Sequence, residues 1–393
     1  MRMRKYLEIL SSLFVIVFLS GCWDSEEIEN RAFIRGSSID LAEQTTKDNP
    51  QLTLTQQLIV PAAIGTATTG GGEQPAFRNL ALSGESLMHI NNEISKRANR
   101  TLYAHHLEVL LFSEDVVKQP DLFEKLLDLF TREQQNRRSV LVAVTKEKAS
   151  SLLDIEPEHI KVPSQYISEL LDNKKSAEVS PPLRLGDLHE KLFANVSFVI
   201  PYLAIVDDKS IENSGVAVFN TNERAVIGTL DGPLTMGRNF MTGDMEAGNM
   251  RISIQDAKAN IMIANVQSSL KLTNKDKNNL TFEIDVNISG VISETNSKIN
   301  PHTHLDLYAK GLEKEVKKLV DKTITKAQTD LKTDIFKFNI YLYGHHYKLW
   351  ESLKDEWDTG ANYFANSKIN VTVNANIEMS GNTQFTTQKE KGS

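Results

Sequence analysis

The chain has 393 residues, with 44 Lys and Arg against 51 Asp and Glu, and both signs are interspersed along it. A net charge of −7 argues against a nucleic-acid partner and against a polybasic grip on anionic lipid. Apolar residues make up 40% and charged residues 24%, enough for globular cores, and a single cysteine excludes an intrachain disulfide.

In chain order, Arg2, Arg4 and Lys5 precede an apolar run over residues 13–19, which ends in Leu19-Ser20-Gly21-Cys22. A charged n-region, a short h-region and small residues before a cysteine read as a signal peptide ending in a lipoprotein box. The expectation is a signal peptide at 1–21, with Leu19, Ser20 and Gly21 recognised by the peptidase and Cys22 acylated as the new N-terminus. The plainer alternatives are an ordinary signal peptide, or an anchor helix with a chance cysteine. The run is shorter than the about 20 apolar residues of a spanning helix. Two acyl chains anchor stably where one does not, at about 0.8 kcal/mol per buried methylene. Cleavage before Cys22 leaves about 370 residues, which at about 100–200 per domain makes two or three domains.

Residues 31–41 and 51–60 read as strands, the second alternating Leu52, Leu54, Leu58 and Val60 with Thr and Gln on the other face. The Gly-rich loop at 66–72 lacks the Gly-Lys-Ser/Thr ending and following helix of a phosphate loop. A strand at 77–83 leads into a helix with Ser86 as candidate N-cap. Residues 106–112 read as a buried strand, on which adjacent His105 and His106 would point to opposite faces, against a metal pair. Leu122, Phe123, Leu126, Leu127 and Phe130 share one helical face, and Arg132, Glu133, Arg137 and Arg138 follow as a solvated end. A strand at 140–144 and a short helix at 149–153 close this unit.

Pro157 and Pro163 bracket a polar stretch that reads as a boundary. Helices at 164–172 and 185–193 precede three strands, 196–206, 214–219 and 225–230, a meander packed under them. The Gly- and Met-bearing stretch 236–248 reads as the second boundary. Strands at 250–254, 259–266 and 280–292 follow, the last alternating Phe282, Ile284, Val286 and Ile288. A long helix at 305–331 is expected to lie on that sheet, with its outer face offered to partners. Residues 334–364 read as broken helix with Trp350 and Trp357 on one face, and 369–377 as a closing strand before a frayed tail. The expected fold class is α+β, three mixed α/β domains in series at 22–155, 156–243 and 244–393.

This ordered set resembles the Ger(x)C family, the lipoprotein C subunit of spore germinant receptors. The resemblance rests on Gly21-Cys22-Trp23-Asp24, Glu27-Ile28, Ala32, Gly36, Ile39-Asp40, His106 ahead of its strand, Arg132-Glu133 and Arg137. It continues through Gly215-Val216-Ala217-Val218-Phe219, Asp334, Trp350, Trp357, Phe364 and the strand from Val371. Two departures are Phe112-Ser113-Glu114-Asp115 in place of a Gly-containing turn, and His345-His346-Tyr347 where the family often has proline. The resemblance implies a three-domain, non-enzymatic, palmitate-bearing subunit on the outer face of the spore's inner membrane. It also implies integral-membrane A and B subunits as partners and no cofactor, and leaves direct germinant binding open. Two other readings compete. A solute-binding lipoprotein of an uptake system would call for repeated βαβ units, and no clear series is present. A hydrolase would call for a nucleophile or zinc motif; neither Gly-x-Ser-x-Gly nor His-Glu-x-x-His occurs, and His302-Thr303-His304 lacks a third ligand.

Overall fold

A computed structural model describes residues 31–46, 49–60, 75–132, 136–173, 175–245, 247–255, 257–297 and 299–378. The signal segment, Leu19, Ser20, Gly21, Cys22, Trp23, Asp24 and the 66–72 loop lie outside the described residues. The fold is α+β, with two sheets and several helices.

The first sheet begins with strands β1 (Arg31–Leu41), β2 (Leu52–Ile59) and β3 (Phe77–Gly84), paired antiparallel in sequence. Helix α1 (Leu87–Arg97) follows; Ser86 stands at its N-cap, but its side chain makes no capping bond. The short β4 (Thr101–Tyr103) pairs parallel with the start of β1. A 3-10 turn, Ala104–His106, then replaces the expected start of a strand. Its rings pack together, His105 stacked on Tyr103 and His106 edge-on to Phe33. Strand β5 (Val109–Ser113), helices α2 (Glu114–Val117) and α3 (Leu122–Arg132), strand β6 (Leu141–Thr145) and helices α4 (Ala149–Leu152), α5 (Pro163–Leu171) and α6 (Leu185–Phe193) come next. Three long strands, β7 (Phe198–Asp207), β8 (Ser210–Asn220) and β9 (Ala225–Asp231), complete a nine-stranded sheet of order β3-β2-β1-β5-β6-β7-β8-β9.

Its centre, β1-β5-β6-β7, is parallel, and antiparallel hairpins flank it. Parallel strands need crossovers, and crossovers bring helices to both faces. One face carries α1, α3 and α6 over Phe112, Phe198 and Phe219; the other carries α4 and α5 over Leu111, Ala143 and Leu203. The meander is not a separate layer. Val144 pairs with Tyr202 and Thr145 with Leu203, so the expected division at residues 155 and 156 falls inside one sheet.

The stretch expected as the second boundary holds helix α7 (Gly232–Thr242). Its ends are well specified: the Asp231 side chain accepts from the Leu234 amide, Pro233 sits in the first turn, and Gly243 closes it in the left-handed region at φ 69°. Its apolar residues are spread around the axis because seven of its eleven residues are buried, so the one-sided stripe of a surface helix is missing.

The second sheet has order β10-β11-β12-β13, from β10 (Gly248–Ile254), β11 (Ala257–Asn274), β12 (Thr281–Thr295) and β13 (Lys368–Glu378). Helix α8 (Leu305–Thr325) lies on it, burying Tyr308, Leu312, Val316 and Val320, and ends in a π-turn, Lys326–Leu331. Helices α9 (Phe338–His345) and α10 (Tyr347–Glu351) fill the crossover to β13, which joins β12 in parallel. Along β8, Ala217 and Phe219 face the first core while Val216 and Val218 join the core of the second sheet, so period two makes one strand a wall of both.

Candidate functional site

Among the described residues that carried the family resemblance, Gly36, Asp40, Gly215 and Asp334 are joints of the backbone. Asp40 is buried and accepts from the Ala149 and Ser150 amides at 2.6 and 3.0 Å, capping α4. Burial raises its pKa, and those hydrogen bonds oppose the rise. A Cβ on Gly36 would sit 2.7 Å from Ser164 Cβ, so glycine there lets α5 approach the sheet. Gly215 has φ 140°, and a Cβ would stand 2.0 Å from the Leu230 carbonyl oxygen; only glycine fits. Arg132 pairs with exposed Asp128, and Arg137 lines a shallow cleft with His105, His106 and Arg184.

Asp334 is the centre of the last group. It is 1% exposed and accepts from the Phe336 and Asn339 amides at 2.9 and 2.8 Å and from Trp357 Nε1 at 3.1 Å. Trp357 meets Trp350 edge-on at 5.7 Å and packs on Phe364. The Asp334 amide donates to Asp358 Oδ1, and Ser197 Oγ, just before β7, donates to Asp358 Oδ2 at 2.8 Å. Asn220 at the end of β8 donates to Thr333 at 2.7 Å. These bonds tie the first sheet to the loop before α9. Burial raises both carboxyls: Asp358 is pushed up to about 7, first by desolvation and then by the charge of Asp334.

Beside this latch lies a second ionic group that sequence reasoning missed. Arg238, from α7, is 5% exposed. Its Nε donates to the Ile335 carbonyl at 3.0 Å, and its Nη1 donates to Asn239 Oδ1 and Asp244 Oδ2 at 3.1 and 3.2 Å. Lys337, in the left-handed region at φ 66°, reaches Asp244 Oδ1 at 2.7 Å. Burial works against the Asp244 charge, yet Arg238 and Lys337 outweigh it and hold its pKa below the usual value. Asn239 donates to the Ala177 and Val179 carbonyls at 3.0 and 2.7 Å. One sequence signal existed: a lone arginine in the apolar stretch Met236-Gly237-Arg238-Asn239-Phe240-Met241 has no solvent-facing stripe to occupy.

A cavity of about 410 Å³ opens at this junction, between α6, the start of β7, α7 and the loop before α9. A larger one, about 830 Å³, lies on the first sheet between α1 and α3, over Ile34, Leu54 and Gln56. There Gln56 donates to Asn91 Oδ1 at 2.9 Å, and Met88 and Leu129 stand exposed at the rim. Among the described residues no group of three or more His, Cys, Asp or Glu is placed to hold a metal. His304, from the histidine pair noted in the sequence, contacts Thr303 Oγ1 at 2.7 Å through Nδ1. No helix among the described residues is long and apolar enough to cross a membrane.

Comparison with known proteins adds the family. Residues 24–205 match the spore germination protein N-terminal domain, and residues 214–381 match the spore germination B3/GerAC-like C-terminal domain. The chain is 29% identical over 387 residues to spore germination protein YndF of Bacillus subtilis (strain 168), spanning 92% of this chain and 94% of that protein. It is 26% identical over 373 residues to spore germination protein A3 of the same organism, spanning 94% and 96%. Spore germination protein KC, also from that organism, is 25% identical over 402 residues, spanning 96% of both. The crystal structure of the GerBC protein shares the fold, with a TM-score of 0.59 at 18% identity, covering 86% of this chain and 97% of that one.

Proposed function

The chain belongs to the spore germination B3/GerAC-like family of germinant-receptor C subunits, and on that footing we propose that it works as a lipid-anchored, non-enzymatic subunit of a nutrient germinant receptor. The observation that carries this reading is the pair of family domains, which together run from residue 24 to residue 381. In the proposal, Cys22 carries the acyl chains on the outer face of the membrane, and the body assembles there with integral-membrane A and B subunits.

Geometry supports the tether. From Cys22 to the start of β1 at Arg31 the linker reaches about 30 Å at full extension. The edge where β1 meets β4 would therefore stay close to the membrane. Confinement at a surface raises effective concentration, so modest protein contacts suffice for assembly. The outer face of α8 supplies one candidate contact: Lys310, Lys314, Lys318 and Lys322 are exposed at four-residue steps. Acidic surface on a partner would complement that stripe.

The test is made in spores. Wild-type chain should fractionate with membrane, co-purify with A and B subunits from detergent extracts, and be needed for germination on at least one nutrient. Cys22→Ala should leave the membrane fraction and depress that response. A Cys22→Ala chain that stays membrane-bound and fully active would refute the anchor. Glutamates at positions 310, 314, 318 and 322 that leave co-purification unchanged would refute the α8 contact.

A further inference from the structure

The junction cavity gathers three cations from three separate elements: Lys191 from α6, Arg238 from α7 and Lys337 from the turn before α9. Their carboxylate neighbours are mostly committed. Asp244 is shared between Arg238 and Lys337. Asp334 is saturated by Phe336, Asn339 and Trp357, and Glu190 at the rim is paired with Arg138. Asp187, one turn before Lys191 on α6, also lines the cavity; it is exposed, and its charge partly offsets the fall in the Lys191 pKa.

Two of the cations keep donors free. Arg238 uses Nε and Nη1 on the protein, while its Nη2 group makes no hydrogen bond among the described residues and is not sealed off. Lys191 is half-buried, with no hydrogen-bond acceptor among the described residues. Burying a donor without a partner is unfavourable, and more so for a charged one. The rest of the wall mixes apolar Pro181, Pro182, Phe198 and Ile340 with polar Ser180, Ser197 and Asn339. A volume of about 410 Å³ is within the range of small-molecule sites.

We propose that this cavity binds a small organic carboxylate, its oxygens held by Arg238 Nη2 and Lys191 and its apolar part against Pro181, Phe198 and Ile340. A planar carboxylate matches the open edge of a guanidinium. The apolar part of the wall selects an organic acid over a bare inorganic anion. Burial, and then repulsion from Lys337 and Arg238, pulls the Lys191 pKa down; an anion between them relieves that repulsion. The bound acid would touch α6 of the first sheet and the loop before α9, and so brace the junction.

The test is calorimetric titration of the full chain in detergent micelles at constant ionic strength, with sodium butyrate, acetate, phosphate and chloride as probes. Butyrate should bind saturably, acetate more weakly, and phosphate and chloride without saturation. Lys191→Met should weaken butyrate at least tenfold while leaving the ligand-free unfolding transition in place. Asp187→Asn, on an exposed surface, should tighten it several-fold and serves if the first variant fails to fold. Absence of saturable butyrate binding, equal binding of phosphate and butyrate, or affinities unmoved by both variants would overturn the proposal.

Discussion

In the nine-stranded sheet, strands β5 and β6 are buried at every position, whereas in the four-stranded sheet β12 alternates buried and exposed residues along most of its length. The cause is layering. The first sheet has a parallel centre, whose crossovers place helices on both faces. The second has α8 and its neighbours on one face, and its other face carries Glu283, Asp285 and Asn287 exposed on β12. The same period-two pattern therefore means different things in the two. In β2 the polar partners of the leucines are buried; Gln57 is 0% exposed, accepts from the Ser164 amide at 2.9 Å and donates to the Leu153 carbonyl at 2.7 Å. In β12 the matching polar positions are solvated.

Mutations can break or sharpen this contrast. The largest effect is expected from Val142→Asp in β6, which places an unpaired carboxylate at a position with no exposure. A loss on the order of 4 kcal/mol or more should appear as absent or unfolded chain in urea titration. Next is Asp334→Ala in the junction latch. It strands three donors and should lower stability by about 3 kcal/mol. A circular-dichroism melt within a degree of wild type would contradict the latch. Gln57→Ala removes both a cap and a carbonyl partner, and about 2 kcal/mol is expected in denaturant unfolding.

A pH effect is expected from Asp358. Folded, it keeps its proton up to about 7; unfolded, it releases it near 3.8. Between those values unfolding releases a proton, so stability falls as pH rises through that window. Asp358→Asn should flatten the fall relative to wild type in unfolding curves at pH 5 and pH 8. Parallel curves would show that the carboxyl does not titrate there. The smallest effect should come from Asn287→Lys on the open face of β12, within about 0.5 kcal/mol of wild type. A large loss there would mean that this face is covered.

Legibility follows the same division. The alternation at 280–292 and the three- and four-residue apolar steps from Leu305 correspond to β12 and α8, because one-sided burial writes a periodic pattern. Helix α7 was hidden because burial on nearly all sides erases the period. Its caps, Asp231 and Gly243, are the local signals that the sequence does carry. Lys191, the Arg238 and Asp244 pair, and Lys337 stand apart in the chain and meet only where the two sheets meet.

Local chemistry was thus determined in the sequence alone: the turn residues, the strand and helix periods and the ordered residues that mark the family. Each depends on neighbours within a few positions, or on direct resemblance. Tertiary structure alone decided that the meander extends the first sheet through Val144 and Tyr202, and that Gln57 and Asp40 face helix ends rather than water. It also decided that Asp334 and Asp358 share a buried junction. Those outcomes depend on which second layer covers a face, and strand period does not encode that layer.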